Sequence, residues 1–316
     1  PELIDAVCRA WEEDFGQRLP RNHVLVSASS CLDMALVMLA ILDPGDEVIV
    51  FSPYFPMYRE QIELAGGVCV DVPTYASEDY AIDEARLRAA ITPRTKAIVF
   101  NNPTNPTGMG YDGKTLELLA RVAQEHDLLI AADEIYTTYL YEGDFCPIRT
   151  LPGMAERTIT LNSFSKNFLM TGWRVGVIIA EPELLAVMNR INGSLIYSAP
   201  SVSQRAALQA LAMRKEIREK YVTAYRDRIF YSADRIEKLP YLSLVRPKGT
   251  FYLFPGVEKT GLDEKAFCKV LLDQAHVLVS PGTPFGVSAA GHFRIACTVG
   301  IDQLKTAFDR MEKLSF

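Results

Sequence analysis

The feature that most constrains the fold is an alternation of short apolar runs with segments of helical spacing through the first two thirds of the chain. The runs are rich in β-branched residues and are four to six residues long, as buried strands are. Seven such runs occur, at 24–27, 47–51, 68–72, 96–100, 128–133, 157–161 and 175–180. Strands that alternate with helices form mostly parallel sheets covered on both faces, so we expect an α/β domain with a seven-stranded sheet flanked by helices.

The pattern changes after about residue 195. A long helical region over 200–238 is followed by strand-like runs at 242–245, 250–254, 276–280 and 292–296 and by helices at 263–274 and 301–313. A mixture of this kind is typical of a smaller α+β domain. We therefore predict a large domain over 1–215 and a small C-terminal domain over 216–316.

Composition and charge narrow the class of protein. The net charge of −6 offers no basic face to a nucleic-acid backbone. The six cysteines form no CxxC pair and have no histidine at zinc-finger spacing, so we expect thiols in a reducing cytoplasm and no metal site. No run approaches the ~20 apolar residues that cross a bilayer. The first fifteen residues resemble an acidic amphipathic helix without an initiator Met, so we expect the chain to begin inside a longer one.

Polar side chains follow several of the predicted strands. Ligands of open α/β sheets bind at the carboxyl ends of the strands, so the segments at those ends are the candidates for chemistry. These segments are 27–31, 52–55, 101–108, 133–136 and 162–166. Asp133 closes an apolar run, where a carboxylate either caps a helix or has a charged partner. Tyr136 lies three residues further on.

Lys166 lies in the richest of these segments. Ser163 and Ser165 flank it, and Arg174 follows eight residues later, just before another strand. An exposed loop lysine is the commonest interpretation of such a residue. Hydroxyls and an arginine clustered at a strand end instead favour an anion site, because both groups bind phosphate well.

Four motifs in a fixed order resemble one family. They are NNPTNPTG at 101–108, ADEIY at 132–136, SFSKNFLMTGWRVG at 163–176 and FRIA at 293–296. Together they resemble the class I/II aminotransferases of the aspartate-aminotransferase superfamily, which are fold-type I enzymes dependent on pyridoxal 5′-phosphate (PLP). The resemblance implies the PLP-dependent transferase fold, a homodimer, and an amino acid and a 2-oxo acid as substrates. It also implies an N-terminal segment that is absent from these 316 residues.

The resemblance assigns roles around the ring of the cofactor. Lys166 would form the Schiff base with PLP and, once displaced, would move the α-proton of the substrate. Asp133 would pair with the pyridine nitrogen, while Tyr136 and Asn105 would hydrogen-bond the phenolic oxygen. Phe55 would stack on the ring, although plain core packing is an equal alternative.

The resemblance also assigns the groups that bind phosphate and substrate. Ser163 and Arg174 would bind the phosphate together with Ser29, Ser30 and Cys31 at a helix N-terminus. Arg294, beside Asn105, would bind the α-carboxylate of the substrate as a bidentate pair, with a surface ion pair as the alternative. Ser198 lies where some members reach the phosphate of the partner subunit.

The predicted phosphate loop departs from the family pattern. Serines and Cys31 replace a glycine-rich run, and Asp33 stands where the family has alanine. We expect Asp33 to point to solvent, because it would otherwise place a negative charge near a dianion. No basic residue stands at Cys31 or in 191–196, where some relatives bind an acidic side chain. Phe55, Tyr197 and Phe251 instead suggest an apolar or aromatic substrate pocket.

Three functions fit these residues. A transaminase is the first, and a C–S β-lyase or another carbanion reaction is the second, because the residues that hold PLP do not separate them. A PLP-binding regulatory module without turnover is the third, but such modules are usually fused to a basic helix-turn-helix domain. A nicotinamide dehydrogenase is less compatible still, since no GxGxxG follows a predicted strand.

Overall fold

The computed structural model describes all 316 residues. The strands are β1 Val24–Ser27, β2 Glu47–Ser52, β3 Val68–Pro73, β4 Thr95–Asn101, β5 Leu129–Asp133, β6 Thr158–Ser163, β7 Gly176–Ile179, β8 Tyr252–Leu253, β9 Ser280–Pro281 and β10 Phe293–Ala296. The helices are α1 Glu2–Phe15, α2 Ser30–Ile41, α3 Met57–Leu64, α4 Glu84–Ala89, α5 Gly113–Glu125, α6 Phe164–Asn167, α7 Pro182–Leu195, α8 Ser201–Ala212, α9 Arg214–Ile217, α10 Thr223–Ile236, α11 Glu264–Val270 and α12 Ile301–Met311. Two π-helical turns, Arg218–Val222 and Leu271–Ala275, follow α9 and α11. No helix is long and apolar enough to cross a membrane.

Seven strands form one sheet in the order β1-β7-β6-β5-β4-β2-β3. Every pair from β6 to β3 is parallel, whereas β7 runs antiparallel to both β6 and β1. The prediction of a mostly parallel, seven-stranded sheet is therefore confirmed. The carboxyl ends of β2, β4, β5 and β6 meet at one edge, which is where the sequence placed its polar segments.

Side chains along the central strands point alternately to the two faces of the large sheet, which explains why the sheet has a core on each face. In β4, Ala97 and Val99 pack into one core, while Ile98 and Phe100 pack into the other. The first core is covered by α2, α3 and α7, and the second by α4 and α5. Successive side chains of a strand point to opposite faces, so a continuous apolar run is what a sheet covered on both sides requires.

The C-terminal part has its own core and a small antiparallel sheet in the order β8-β10-β9. The core lies mainly between α10, α11 and α12 and includes Phe267, Phe293 and Phe308. The predicted strand at 242–245 was wrong, because only Ser243 forms an isolated bridge, to Gly256. The division at 215/216 stays a prediction; it falls near the start of the helical stretch that runs from α9 into α10.

We expect Gly176→Ala to lower the free energy of unfolding by about 3 kcal/mol, because the site has no room for a methyl group. A Cβ at Gly176 would lie 2.6 Å from the carbonyl carbon of Ser29 and 2.8 Å from Ser27 Oγ. The matched control is Gly193→Ala in α7, where nothing lies within 4 Å and the gain in helix propensity should stabilise by ~0.5–1 kcal/mol. Urea unfolding measures both, and equal effects at the two sites would contradict the packing argument.

Candidate active site

A cavity of about 340 Å³ opens where the carboxyl edge of the large sheet meets β8 and β10. Ten of the eleven predicted site residues line it: Ser29, Ser30, Cys31, Phe55, Asn105, Asp133, Tyr136, Lys166, Arg174 and Arg294. The other lining residues are Met34, Tyr58, Gln61, Asn101, Ile135, Ser165, Thr171 and Tyr252. Segments that are far apart in the chain thus converge because the parallel strands end at the same edge.

Asp133 supplies the one buried carboxylate that lines this cavity. Its Oδ2 accepts a hydrogen bond from the hydroxyl of Tyr58, while its Oδ1 is buried and has no partner in the protein. Burial raises the pKa of Asp133 to about 6, and the Tyr58 hydrogen bond acts in the opposite direction. A buried acceptor without a donor is costly, so Oδ1 suits a ligand that brings an N–H group.

Lys166 lies in the short helix α6, directly after β6, and its side chain is half-buried. Burial lowers the pKa of Lys166, and the positive charge of Arg294 lowers it further. Its Nζ lies 6.0 Å from the centre of the Phe251 ring. A lowered pKa increases the fraction of neutral amine, which is the form that attacks an aldehyde or accepts a proton.

Arg294 lies on β10, and Asn105 follows β4 in the loop 101–108. Arg294 Nη1 donates to Asn105 Oδ1 at 3.0 Å, whereas Arg294 Nε is buried without a partner. Asn105 is itself fixed, because its backbone N–H donates to Asn101 Oδ1 at 2.8 Å. The guanidinium therefore keeps a free donor at the cavity, as recognition of a carboxylate requires.

The N-terminus of α2 and Arg174 line the cavity at the segment that the sequence assigned to phosphate. Ser29 caps α2, accepting from the Leu32 backbone N–H at 3.4 Å. Its φ of 141° lies in a region that favours glycine, which matches the family's preference for glycine in this loop. Arg174 is exposed and donates to the Thr171 carbonyl at 2.9 Å.

Ser163 is the one predicted site residue that does not line the cavity. Its buried hydroxyl accepts from the Ser165 backbone N–H at 3.1 Å and donates to the Val175 carbonyl at 3.4 Å. The hydroxyl is thereby used to cap α6, and Ser165 lines the cavity in its place. That Ser163 itself contacts phosphate stays a prediction.

The expectation that Asp33 points to solvent was wrong. Asp33 is fully buried, and Ser27 Oγ donates to its Oδ1 while Oδ2 has no partner. Burial raises the pKa of Asp33 well above its usual range. The first turn of α2 packs against β7 at Gly176, which forces the side chain inward. Burial thus disfavours the charged form, which would place a negative charge beneath the loop.

Sequence reasoning missed Tyr58 and Tyr252, and it overestimated two other aromatic residues. Tyr58 stands three residues after Phe55 at the start of α3, a helical spacing that could have placed both on one face. No local signal indicated Tyr252. Of the three residues proposed for a substrate pocket, only Phe55 lines the cavity, since Tyr197 is 88% exposed and Phe251 packs behind Tyr136.

The fold and the cavity define a PLP-dependent enzyme of fold type I. The fit rests on the unpartnered Asp133 Oδ1, which suits a protonated pyridine nitrogen, and on the half-buried amine of Lys166 in the same cavity. A model of the aminotransferase class I and II family matches residues 1–311. The chain belongs to this family, whose members use PLP to move an amino group between an amino acid and a 2-oxo acid.

Two relatives and one solved structure illustrate the similarity. The chain is 38% identical over 318 residues to the aspartate/prephenate aminotransferase of Thermus thermophilus, covering 99% of this chain and 81% of that protein. It is 35% identical over 317 residues to aromatic-amino-acid aminotransferase 2 of Thermococcus litoralis, with the same coverage. The aromatic aminotransferase of Pyrococcus horikoshii superposes with a TM-score of 0.96 at 33% identity, covering 99% of this chain and 84% of that one.

We expect Asp33→Asn to stabilise the protein at pH 8 and to do so less at pH 5. The pKa of Asp33 is higher in the folded state than in the unfolded state, where it is about 4. The wild-type protein therefore loses stability as the pH rises from the unfolded pKa through the folded pKa. The amide of the Asn variant does not titrate, so the variant does not lose this stability. Thermal unfolding at the two pH values measures the difference. The exposed Asp144→Asn is the control and should show no such trend. A destabilised Asp33→Asn protein at pH 8 would refute burial as the controlling factor.

Proposed function

We propose that Lys166 and Asp133 hold PLP in this cavity and that Lys166 then moves the proton of the reaction. The observation that carries the proposal is the pairing of a half-buried amine with a buried, unpartnered carboxylate oxygen in one cavity. When bound, PLP withdraws electrons from the α-carbon of an attached amino acid. Asp133 supports this by keeping the pyridine nitrogen protonated, and Tyr58 fixes the carboxylate through Oδ2.

After displacement from the cofactor, the Lys166 amine is free to accept the proton from the substrate α-carbon. Burial lowers its pKa, which increases the fraction of the neutral amine that can act as a base. With PLP bound, the same amine would also return the proton, and hydrolysis by water would then release the 2-oxo acid to complete a transamination half-reaction. The lysine therefore has two roles, which require it to be half-buried and yet able to move.

Arg294 binds the α-carboxylate of the substrate in this proposal. Its free Nε and its second Nη group can donate in parallel, because Asn105 already occupies Nη1 and fixes the plane of the guanidinium. Ser29, Ser30, Ser165 and Arg174 bind the phosphate, with backbone N–H groups at the N-terminus of α2 adding to the attraction. Phe55 packs over the ring of the cofactor.

The charges of the cavity favour a substrate with one carboxylate. The cations that line it are Lys166, Arg174 and Arg294, and the proposal assigns each of them to the cofactor, the phosphate or the α-carboxylate. A second carboxylate on the side chain would have no cationic partner within this chain. The relatives include enzymes named for aspartate/prephenate and for aromatic amino acids, and we propose the aromatic or apolar class here.

The chain is proposed to act as a cytoplasmic homodimer. Three apolar side chains are 56–88% exposed where α7 passes into α8: Leu195 at the end of α7, Tyr197 in the connecting loop and Val202 at the start of α8. Burial of these side chains against their symmetric copies would stabilise a dimer. The six cysteines are free thiols in the structure, which suits a reducing compartment. Light scattering after size exclusion distinguishes dimer from monomer.

We expect the PLP-loaded protein to show a visible absorbance band that a suitable amino acid converts to the spectrum of the pyridoxamine form. Lys166→Ala should lack both the band and the conversion, because no other amine reaches the cavity. Lys96→Ala, an exposed lysine on β4, is the matched control and should behave as wild type. If the band persists while pyruvate, ammonia and a thiol accumulate from a cysteine conjugate, a β-lyase replaces the transaminase.

We expect phenylalanine or tyrosine to exceed aspartate in kcat/KM by at least ~10-fold. A side-chain carboxylate left unpaired in the cavity should cost about 1.5–3 kcal/mol, which corresponds to roughly a 10- to 150-fold loss. Single-turnover rates across a donor panel measure this ratio. A clear preference for aspartate would contradict the charge assignment and would indicate a cation from outside this chain's cavity.

A further inference from the structure

We propose that Tyr252 is a positioning residue that fixes two groups of the cavity at once. Its hydroxyl orients Tyr136, and its ring orients Arg294. The inference rests on the proposed function, because it takes Tyr136 as a cofactor contact and Arg294 as the carboxylate site. It extends that function because one side chain of the small sheet serves both the cofactor contact at Tyr136 and the carboxylate site at Arg294.

The hydroxyl contact is isolated from other polar groups of the protein. Tyr252 Oη lies 3.2 Å from Tyr136 Oη, and the two rings meet edge to face at 85° with centres 6.0 Å apart. Both residues are buried, and neither hydroxyl has another partner in the protein. Only one of the two hydroxyl protons lies in this hydrogen bond. The direction of donation therefore decides whether Tyr136 or Tyr252 keeps its proton for the cavity.

The charge of Arg294 lowers the pKa of both hydroxyls. Its guanidinium carbon lies 4.7 Å from the centre of the Tyr252 ring, and a nearby cation makes a phenol the stronger donor. Either hydroxyl could donate in this contact, and the proposal takes Tyr252 as the donor, so that Tyr136 keeps its proton for a ligand. A phenol that is already accepting a hydrogen bond is also the better donor, since adjacent hydrogen bonds polarise one another.

The ring contact follows from strand pairing. Tyr252 on β8 lies opposite Ala296 on β10, so Arg294 is its diagonal neighbour on the same face of the sheet. The guanidinium carbon is also 4.9 Å from the centre of the Phe285 ring. Two rings thus hold the arginine by cation–π contact and leave its buried Nε directed at no protein group.

Three variants of the PLP-loaded protein separate the two roles. Tyr252→Phe removes only the hydroxyl, Phe285→Leu removes the second ring beside Arg294 without touching Tyr136, and Tyr252→Leu removes both functions of Tyr252. Two quantities are measured for each variant. One is the pH midpoint of the visible absorbance of the bound cofactor, and the other is the Kd for 3-phenylpropionate, measured by calorimetry. The first reports on the Tyr136 side, and the second reports on Arg294 without turnover.

We expect Tyr252→Phe to raise the absorbance midpoint by about 0.5–1 pH unit and to change the Kd less than ~2-fold. Phe285→Leu should leave the midpoint unchanged and weaken 3-phenylpropionate by about 3- to 30-fold. Tyr252→Leu should show both changes. The kinetic counterpart is a higher KM in the two leucine variants, with a lower kcat where the hydroxyl is lost.

The inference is overturned if Tyr252→Phe leaves the absorbance midpoint unchanged, or if Tyr252→Leu binds 3-phenylpropionate as tightly as wild type. Thermal unfolding of each variant checks that the fold is intact, and the conservative Phe substitution stays interpretable even if the leucine variants unfold. A wild-type protein without the visible band would instead refute the proposed function, so the two failures are distinguishable.

Discussion

The burial of the Asp133 carboxylate is the constraint on which the rest of the site depends. Desolvation raises the pKa of this group to about 6, and one of its oxygens has no partner in the protein. A ligand that brings an N–H group to the cavity would complete its hydrogen bonds, so ligand binding and the burial of this carboxylate are energetically coupled. Tyr58 fixes the other oxygen, and the parallel strands bring Lys166 to the same edge.

Much of this architecture is predictable from the sequence, because it depends on the periodicity of the apolar residues and on the order of the strands along the chain. The apolar runs predict the seven strands to within about two residues, since a strand buried on both faces must be continuously apolar. The rule that ligands bind at the carboxyl ends then selects the segments that hold Asp133 and Lys166. The motif resemblance adds Arg294, whose place in the cavity no local pattern reveals.

The failures have a common physical cause, which is that side-chain direction depends on tertiary packing. Asp33 points inward because α2 packs against β7. Tyr252 reaches the cavity only through the diagonal pairing of β8 with β10. Sequence spacing indicates which residues share an element, but not which of their atoms face a cavity.

The most direct test of the central claim is to find where the cofactor attaches. Borohydride reduction of the PLP-loaded protein, followed by digestion and mass spectrometry, should place one reduced pyridoxyl phosphate group on the peptide that contains Lys166. Attachment at that lysine would confirm that the cavity beside Asp133 is the cofactor site. Attachment at another lysine, or at none, would contradict the account.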